Sequence, residues 1–231
     1  MFMIGVQIIG SHHSGKSTLA AALAARLKAK GVTVAMVKHA CHPIVLGPKE
    51  EQALASAGEV YVLARELMLS ATKRPLQLLQ VLARLESEAV IAEGFKTMGI
   101  MPRILCYCTA KDRTSLSTAL DIAAFGPGEA GNRRKVGRAA EAVLRKGFVL
   151  PGVNCHKCGY RTCAELAAAI VAGRRIPADC VVLDEKVRLT IGGKAIALSP
   201  FVAEILKATC GGFFRSLKGV TRGKVRLEME L

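Results

Sequence analysis

Hydrophobic positions in this chain fall into short solid runs separated by amphipathic or alanine-rich stretches. Met3 to Ile9 reads as a wholly apolar strand buried on both faces, and Lys16 to Lys30 has the composition of a strong helix stopped by Gly31. A second buried strand is expected over Val32 to Val37, ending at Lys38-His39, where a parallel strand delivers side chains to the ligand-binding edge of its sheet. Ala40 to Gly58 begins as a loop containing Cys41, His42, Pro43, Gly47 and Pro48, then becomes a short helix at Lys49 to Ser56. Glu59 to Leu63 reads as a third strand. Pro75 to Glu88 places Leu76, Leu79, Leu82 and Leu85 at helical spacing, and Ala89 to Ala92 is an apolar strand leading into Glu93-Gly94-Phe95-Lys96. Ile104 to Thr109 reads as a further strand, with Cys106 and Cys108 on one face and expected in the core.

Beyond the glycine-rich loop Phe125 to Gly131, Asn132 to Phe148 is amphipathic. Val136, Ala139, Val143 and Leu144 share one side, and Arg133, Arg134, Lys135, Arg138, Arg145 and Lys146 lie elsewhere. That cationic side is either a solvated face or an anion- or partner-docking helix. Pro151-Gly152 marks a boundary, which divides the chain into residues 1–150 and 151–231. In the tail, Val187 to Ile191 and Ala195 to Leu198 flank Gly192-Gly193 as a hairpin. Ser199-Pro200 then opens a helix to about Phe214, in which Cys210 is expected in the core. Val225 to Leu231 alternates strictly, as a last antiparallel strand would.

The first strand and first helix enclose Gly10-Ser11-His12-His13-Ser14-Gly15-Lys16-Ser17. Two glycines with Lys-Ser after the second, set between an apolar strand and a helix, form the phosphate-cradling P-loop in its expected context. Gly10 and Gly15 let the backbone curl so that successive N–H groups face phosphate oxygens, and the helix N-terminus adds positive potential. Lys16 is expected to reach the β and γ phosphates, Ser17 to take one Mg²⁺ position, and Thr18 to close the loop; His12 and His13 carry no assigned chemistry. Glu93, a carboxylate at the carboxyl end of an apolar strand, sits where such proteins place a partner of Mg²⁺ and water. The fold class is therefore α/β, a P-loop nucleotide-binding unit with a mostly parallel sheet, followed by a small C-terminal α+β unit.

Cys155, Cys158, Cys163 and Cys180 follow C-x2-C-x4-C-x16-C, with a helical run from Ala164 to Ala172 between the third and fourth. Four thiolates with three clustered and one remote favour a [4Fe–4S] cluster over zinc, whose ribbon sites bring two close pairs. Zinc in a Cys₄ site is the main competitor, and His39, Cys41 and His42, or Cys106 with Cys108, are weaker metal candidates. Thr109-Ala110-Lys111-Asp112 has the wrong spacing for a guanine-reading loop and argues nothing about the base.

Charge and composition narrow the partners. The 231 residues carry a net charge of +15, which favours anionic partners, yet aromatics are only 4% with no Trp, so nucleic acid is the least favoured of them. No apolar run reaches the roughly 18 residues of a membrane span, and the N-terminus lacks the features of a secretion signal, so a cytoplasmic protein is expected. Eight cysteines in that setting point to metal or redox use, not a disulfide framework.

Gly10 to Thr18, Lys38-His39, Glu93-Gly94-Phe95-Lys96 and Pro102-Arg103-Ile104 recur in one order, and with them the N-terminal half resembles the MobB family, GTP-binding partners in molybdopterin-guanine dinucleotide synthesis. The resemblance implies GTP and Mg²⁺ binding, weak hydrolysis at most, and action beside the molybdopterin guanylyltransferase, with a homodimer left open. It implies that Lys16 and Ser17 serve phosphate and Mg²⁺, and that Glu93 lies near the metal. The family's Asp-x-x-Gly-x-Asp-like stretch has no counterpart in Cys41 to Glu50, which contains no Asp. The four-cysteine segment looks like the small iron–sulfur domain of corrinoid, carbon monoxide and electron-transfer systems of anaerobes. Three readings follow: a GTP-binding cofactor-assembly accessory, a nucleotide-driven redox or metallocluster-delivery ATPase, and a nucleotide-sensing switch whose cluster is a folding clip.

Overall fold

A computed structural model of the chain describes residues 3–40, 44–72, 78–82, 84–183, 189–191, 194–196, 198 and 200–217. The chain starts with strand β1 (Ile4–Gly10), helix α1 (Lys16–Lys28) and strand β2 (Val34–Lys38), followed by helix α2 (Pro48–Ala57). Strands β3 (Glu59–Leu63) and β4 (Met68–Thr72) and helix α3 (Leu78–Leu82) lead to β5 (Ala89–Glu93) and β6 (Arg103–Cys106). Helix α4 (Ala110–Leu116), strand β7 (Asp121–Phe125) and helices α5 (Arg133–Lys146) and α6 (Cys163–Val171) come next. Strands β8 (Leu189–Ile191) and β9 (Lys194–Ile196) and helix α7 (Pro200–Ser216) end the described chain.

The central sheet has the order β2-β5-β1-β6-β7, all parallel, so β1 is flanked on both sides and delivers its carboxyl end to the middle of the sheet edge. Side chains alternate between its two faces. One face buries Val6, Ile8, Ile91, Ile104 and Phe125 against Leu19, Leu23 and Leu27 of α1 and Val136, Ala140 and Val143 of α5. Each of the Val, Leu, Ile and Phe side chains contributes about 1.5–3 kcal/mol on burial, which holds both helices to this face. Asn132 caps α5 by accepting from the Lys135 N–H, and Arg133, Arg134, Arg138, Arg145 and Lys146 face solvent, as the amphipathic pattern requires.

The other face buries Val90, Ala92, Met101, Leu120, Phe148 and Leu150 together with Leu166 and Ala167 of α6, Cys163 and Cys180. The segment beyond Pro151 thus covers the second face of the sheet and shares its core.

Several elements depart from the sequence expectation. The strand Met3 to Ile9 is not wholly apolar in effect: Gln7 is 1% exposed and hydrogen-bonded inside the second face. Among the described residues β2 is an edge strand paired only with β5, so it is not a buried strand, and Met36 is 49% exposed. β3 forms but leaves the main sheet, pairing antiparallel with β4 as a separate ribbon. β4, α4 and β7 were not legible from periodicity. β6 stops at Cys106, so Cys106 is buried while Cys108, past the strand end, is exposed and not in the core. Cys210 is half-buried on α7 instead of lying in a core.

β8 and β9 pair antiparallel. The Gly192-Gly193 turn, Ser199, the strand at Val225 to Leu231, and Cys41 and His42 all lie outside the described residues, as do residues 73–77 at the start of the Pro75 to Glu88 stretch. Among the described residues no helix is long and apolar enough to cross a membrane.

Candidate functional site

The loop from Ser11 to Gly15 turns tightly at the carboxyl end of β1. Gly15 sits at φ +80, a left-handed conformation costly for other residues, and serves as the N-cap of α1 without a side-chain cap bond. The first turn of α1 also carries no acidic residue, so its N–H groups and helix dipole are free of a local carboxylate, as an anion site requires. Ser11 is the hub of the loop. Its carbonyl accepts from Ser14 Oγ at 2.8 Å and from Lys16 Nζ at 2.5 Å, which folds the Lys16 ammonium back over the loop. Its hydroxyl donates to Asp112 Oδ2 at 3.0 Å. His12 and His13 are exposed at the tip, with His13 at φ +58.

Asp112 belongs to the capping box of α4: its N–H donates to Thr109 Oγ1, and its carboxylate accepts from the N–H groups of Thr109 and Cys108. The Ser11 hydroxyl first, then these amides, hold its carboxyl below the usual range. Thr109 to Asp112 thus begins a helix and anchors the loop. Burial, partly offset by Lys16, pushes the neighbouring Cys106 thiol up to about 12, so it is a neutral core group.

Ser17 lies one residue into α1 and donates to Glu93 Oε1 at 2.8 Å. Glu93 is 6% exposed, and Lys38 Nζ lies 3.5 Å from its Oε1 while donating to Ser17 Oγ at 3.0 Å. A buried carboxylate requires a cation or several donors. Here one hydroxyl and one carboxylate oxygen converge, with the Lys38 ammonium standing where a cation is needed. The oxygen donor set fits Mg²⁺, which binds protein through one or two such ligands and keeps several waters.

His39 follows Lys38 and packs edge-on against Phe95, with ring centroids 5.3 Å apart. The backbone also meets here: His39 N–H donates to the Glu93 carbonyl, and a Cβ on Gly94 would lie 2.9 Å from His39 Cβ. Gly94 at φ +93 is the residue that permits this approach.

Cys155, Cys158, Cys163 and Cys180 line one cavity with Val153, Leu166 and Val181. Left-handed residues Asn154 and His156 bend the chain around Cys155, and Asn154 Oδ1 accepts from the Cys163 N–H at 2.7 Å as α6 begins. Burial pushes the Cys180 thiol up, opposed by the N–H groups of Leu183 and Val182 aimed at its sulfur. Four free thiols around an apolar cavity, with amides directed at one sulfur, are a donor set that suits an iron–sulfur cluster. The cysteines surround the cavity instead of meeting at a point, and among the described residues no three His, Cys, Asp or Glu side chains form a single-ion site.

Residues 5–125, more than half of the chain, match the family model for molybdopterin guanine dinucleotide synthesis protein B, MobB. The chain belongs to the MobB family. Residues 150–182 match a second family model, described as "Putative Fe-S cluster", which spans all four cysteines. The chain is 28% identical over its full length to a protein of Methanocaldococcus jannaschii described as "Putative molybdopterin-guanine dinucleotide biosynthesis adapter protein", of which it covers 98%. Two solved MobB structures share the fold. That of Bacillus subtilis MobB has a TM-score of 0.50 at 20% identity, over 63% of this chain and 98% of its own. A second, molybdopterin-guanine biosynthesis protein B, also gives 0.50 at 22% identity, over 61% of this chain and 98% of its own.

Within this MobB-family chain the structure brings Lys16, Ser17, Glu93, Lys38 and His39 to one sheet edge and the four cysteines around one cavity, with Cys163 and Cys180 in the second-face core. Two residues escaped sequence reasoning, and a third, Lys38, was singled out at the sheet edge without its partner. Gln7 was hidden in an apolar run where its polarity was the signal, Asp112 was judged only against a base-reading motif, and Lys38 showed its contact with Ser17 only on folding.

Proposed function

We propose that the chain is a cytoplasmic GTP-binding accessory protein of molybdopterin guanine dinucleotide synthesis that carries a [4Fe–4S] cluster. The observation that carries the nucleotide reading is the convergence of Ser17, Glu93 and Lys38 beside an uncapped helix start. The loop amides and Lys16 hold the phosphates, with the ammonium swinging from the Ser11 carbonyl to the β and γ oxygens. Ser17 and Glu93 would hold Mg²⁺ at the place the Lys38 ammonium takes here. Bound Mg²⁺ supplies neutralisation of phosphate charge. The stretch Cys41 to Glu50 supplies no Asp to join Glu93, so any hydrolysis is slow.

Cys155, Cys158, Cys163 and Cys180 hold the cluster, and the apolar wall of Val153, Leu166 and Val181 limits water around it. The nucleotide state then governs docking to the guanylyltransferase. Anaerobic purification with iron, sulfide and nucleotide analysis tests both sites, and four irons per chain with a bound guanine nucleotide are expected. Addition of the protein to guanylyltransferase, molybdopterin and GTP is expected to raise dinucleotide yield; no change at any concentration would sink the accessory role.

One observation favours a second reading, a nucleotide-driven redox or metallocluster-delivery protein. Cys163 and Cys180 lie in the same core as β5, the strand that ends in Glu93. An ATP preference over GTP in the same purification, with ATP-dependent release of iron, would favour that reading.

A further inference from the structure

Gln7 is the polar residue on the buried middle strand β1, 1% exposed. Its Nε2 donates to the carbonyls of Gly94 at 2.7 Å and Phe95 at 2.5 Å. These two residues follow Glu93 directly, and both are left-handed, Gly94 at φ +93 and Phe95 at φ +57. A non-glycine residue in that region is strained and persists where its surroundings over-determine it. Here the Gln7 amide, the bond from the Gly94 N–H to the Ile8 carbonyl, and the Phe95 ring against His39 do so.

The chain then closes a turn, with the Met98 N–H donating to the Phe95 carbonyl at 2.9 Å, and runs into the cluster segment. Gly99 meets α6 so closely that a Cβ there would lie 2.6 Å from Ala164 Cβ. Ala164 is the neighbour of Cys163. The Ile100 carbonyl accepts from the Leu150 N–H at 2.8 Å, and Ile100 and Met101 are buried in one cluster with Cys163 and Cys180. One short segment therefore has Glu93 at one end and the core around Cys163 and Cys180 at the other.

We propose that Gln7 is a positioning residue that couples the two sites, by holding residues 94–101 as a rigid link between Glu93 and α6. The link rests on the nucleotide and cluster reading given above. When Glu93 exchanges the Lys38 ammonium for Mg²⁺, its displacement passes through the Gly94–Phe95 turn to Gly99 and presses on the first turn of α6. An apolar residue at position 7 leaves the Gly94 carbonyl without its donor and the Phe95 carbonyl with the Met98 N–H alone, and the turn no longer transmits.

The test uses hydrogen exchange on the full, anaerobically purified chain, with and without saturating GTP and Mg²⁺. In the wild type, nucleotide is expected to slow exchange of the amides at 164–171 by about fivefold, the low end of ordinary site-to-site coupling. In Gln7→Leu that slowing is lost, while iron content and nucleotide binding, measured separately, stay at wild-type levels. Ala164→Gly removes the methyl that Gly99 abuts; it is expected to lose the slowing likewise, and it decides the matter if the Gln7 variant fails to fold. Wild-type slowing in Ala164→Gly, or in a folded Gln7→Leu, overturns the proposal. So does a wild type that binds both nucleotide and iron yet shows no slowing, which leaves the function reading intact. Absence of nucleotide binding or of iron in the wild type overturns both.

Discussion

The hydroxyl of Ser17 donates to Glu93 Oε1 at 2.8 Å, tying the first turn of α1 to the last residue of β5. The bond joins residues far apart in the chain across two adjacent parallel strands, β1 and β5. It places a buried carboxylate beside the helix start where phosphate charge would be received.

Replacement of Glu93 by Gln removes the charge and keeps the shape. The affinity gained for GTP on adding Mg²⁺ is expected to fall about tenfold, or 1.4 kcal/mol, while affinity without metal stays as it was. Titration of a fluorescent GTP analogue with and without Mg²⁺ reads this out, and an unchanged Mg²⁺ effect counts against Glu93 as a ligand.

Lys38 competes for the same oxygens. Lys38→Met is therefore expected to lower the Mg²⁺ concentration that half-saturates nucleotide binding. A higher requirement would mean that Lys38 assists the nucleotide instead of standing in for the metal.

Asp112 anchors Ser11, and its folded pKa is depressed chiefly by that hydroxyl. A depressed carboxylate stabilises fully above its unfolded value, about 3.9, and the stabilisation disappears as pH falls through the lower folded value. The anchor is thus expected to be constant from neutrality to about pH 5 and to loosen only in stronger acid. Asp112→Ala is expected to show the loosened loop already at pH 7, measured as faster amide exchange at Ser11 to Gly15.

Leu166 is fully buried in the core shared by α6 and the sheet. Leu166→Ala is expected to cost about 2–5 kcal/mol, and because the core is shared, the chain should still unfold in one transition. Calorimetry that finds the P-loop unit unfolding at its original temperature would show the two segments to be independent. Replacing Cys163 by Ser is expected to abolish cluster retention; a folded protein with full iron content would remove Cys163 from the ligand set.

Much of this was legible because local chemistry repeats locally. Gly10 to Thr18, the Glu93 box and the cysteine spacing are each contiguous, or nearly so, and each forms a local unit at a strand end, a helix start or one cavity. The amphipathic α5 followed from period alone, since its buried face is simple apolar burial. β4, β7 and α4 escaped because they are short and carry no strong period, and their formation depends on pairing or on a capping box.

The sequence by itself determined the groups available: a glycine-bounded loop with Lys-Ser opening a helix, a carboxylate at a strand end and four thiols on one segment. Tertiary structure decided what those groups face. Parallel pairing of β1 with β5 set Ser17 against Glu93, and the edge position of β2 brought Lys38 beside them. Burial of α6 on the second face put Cys163 and Cys180 into the core that Gln7 and the Gly94–Phe95 turn adjoin. The physical reason is that side-chain identity is carried residue by residue, whereas distance between remote residues is fixed only when two sheet faces are each covered and their buried polar groups must find partners.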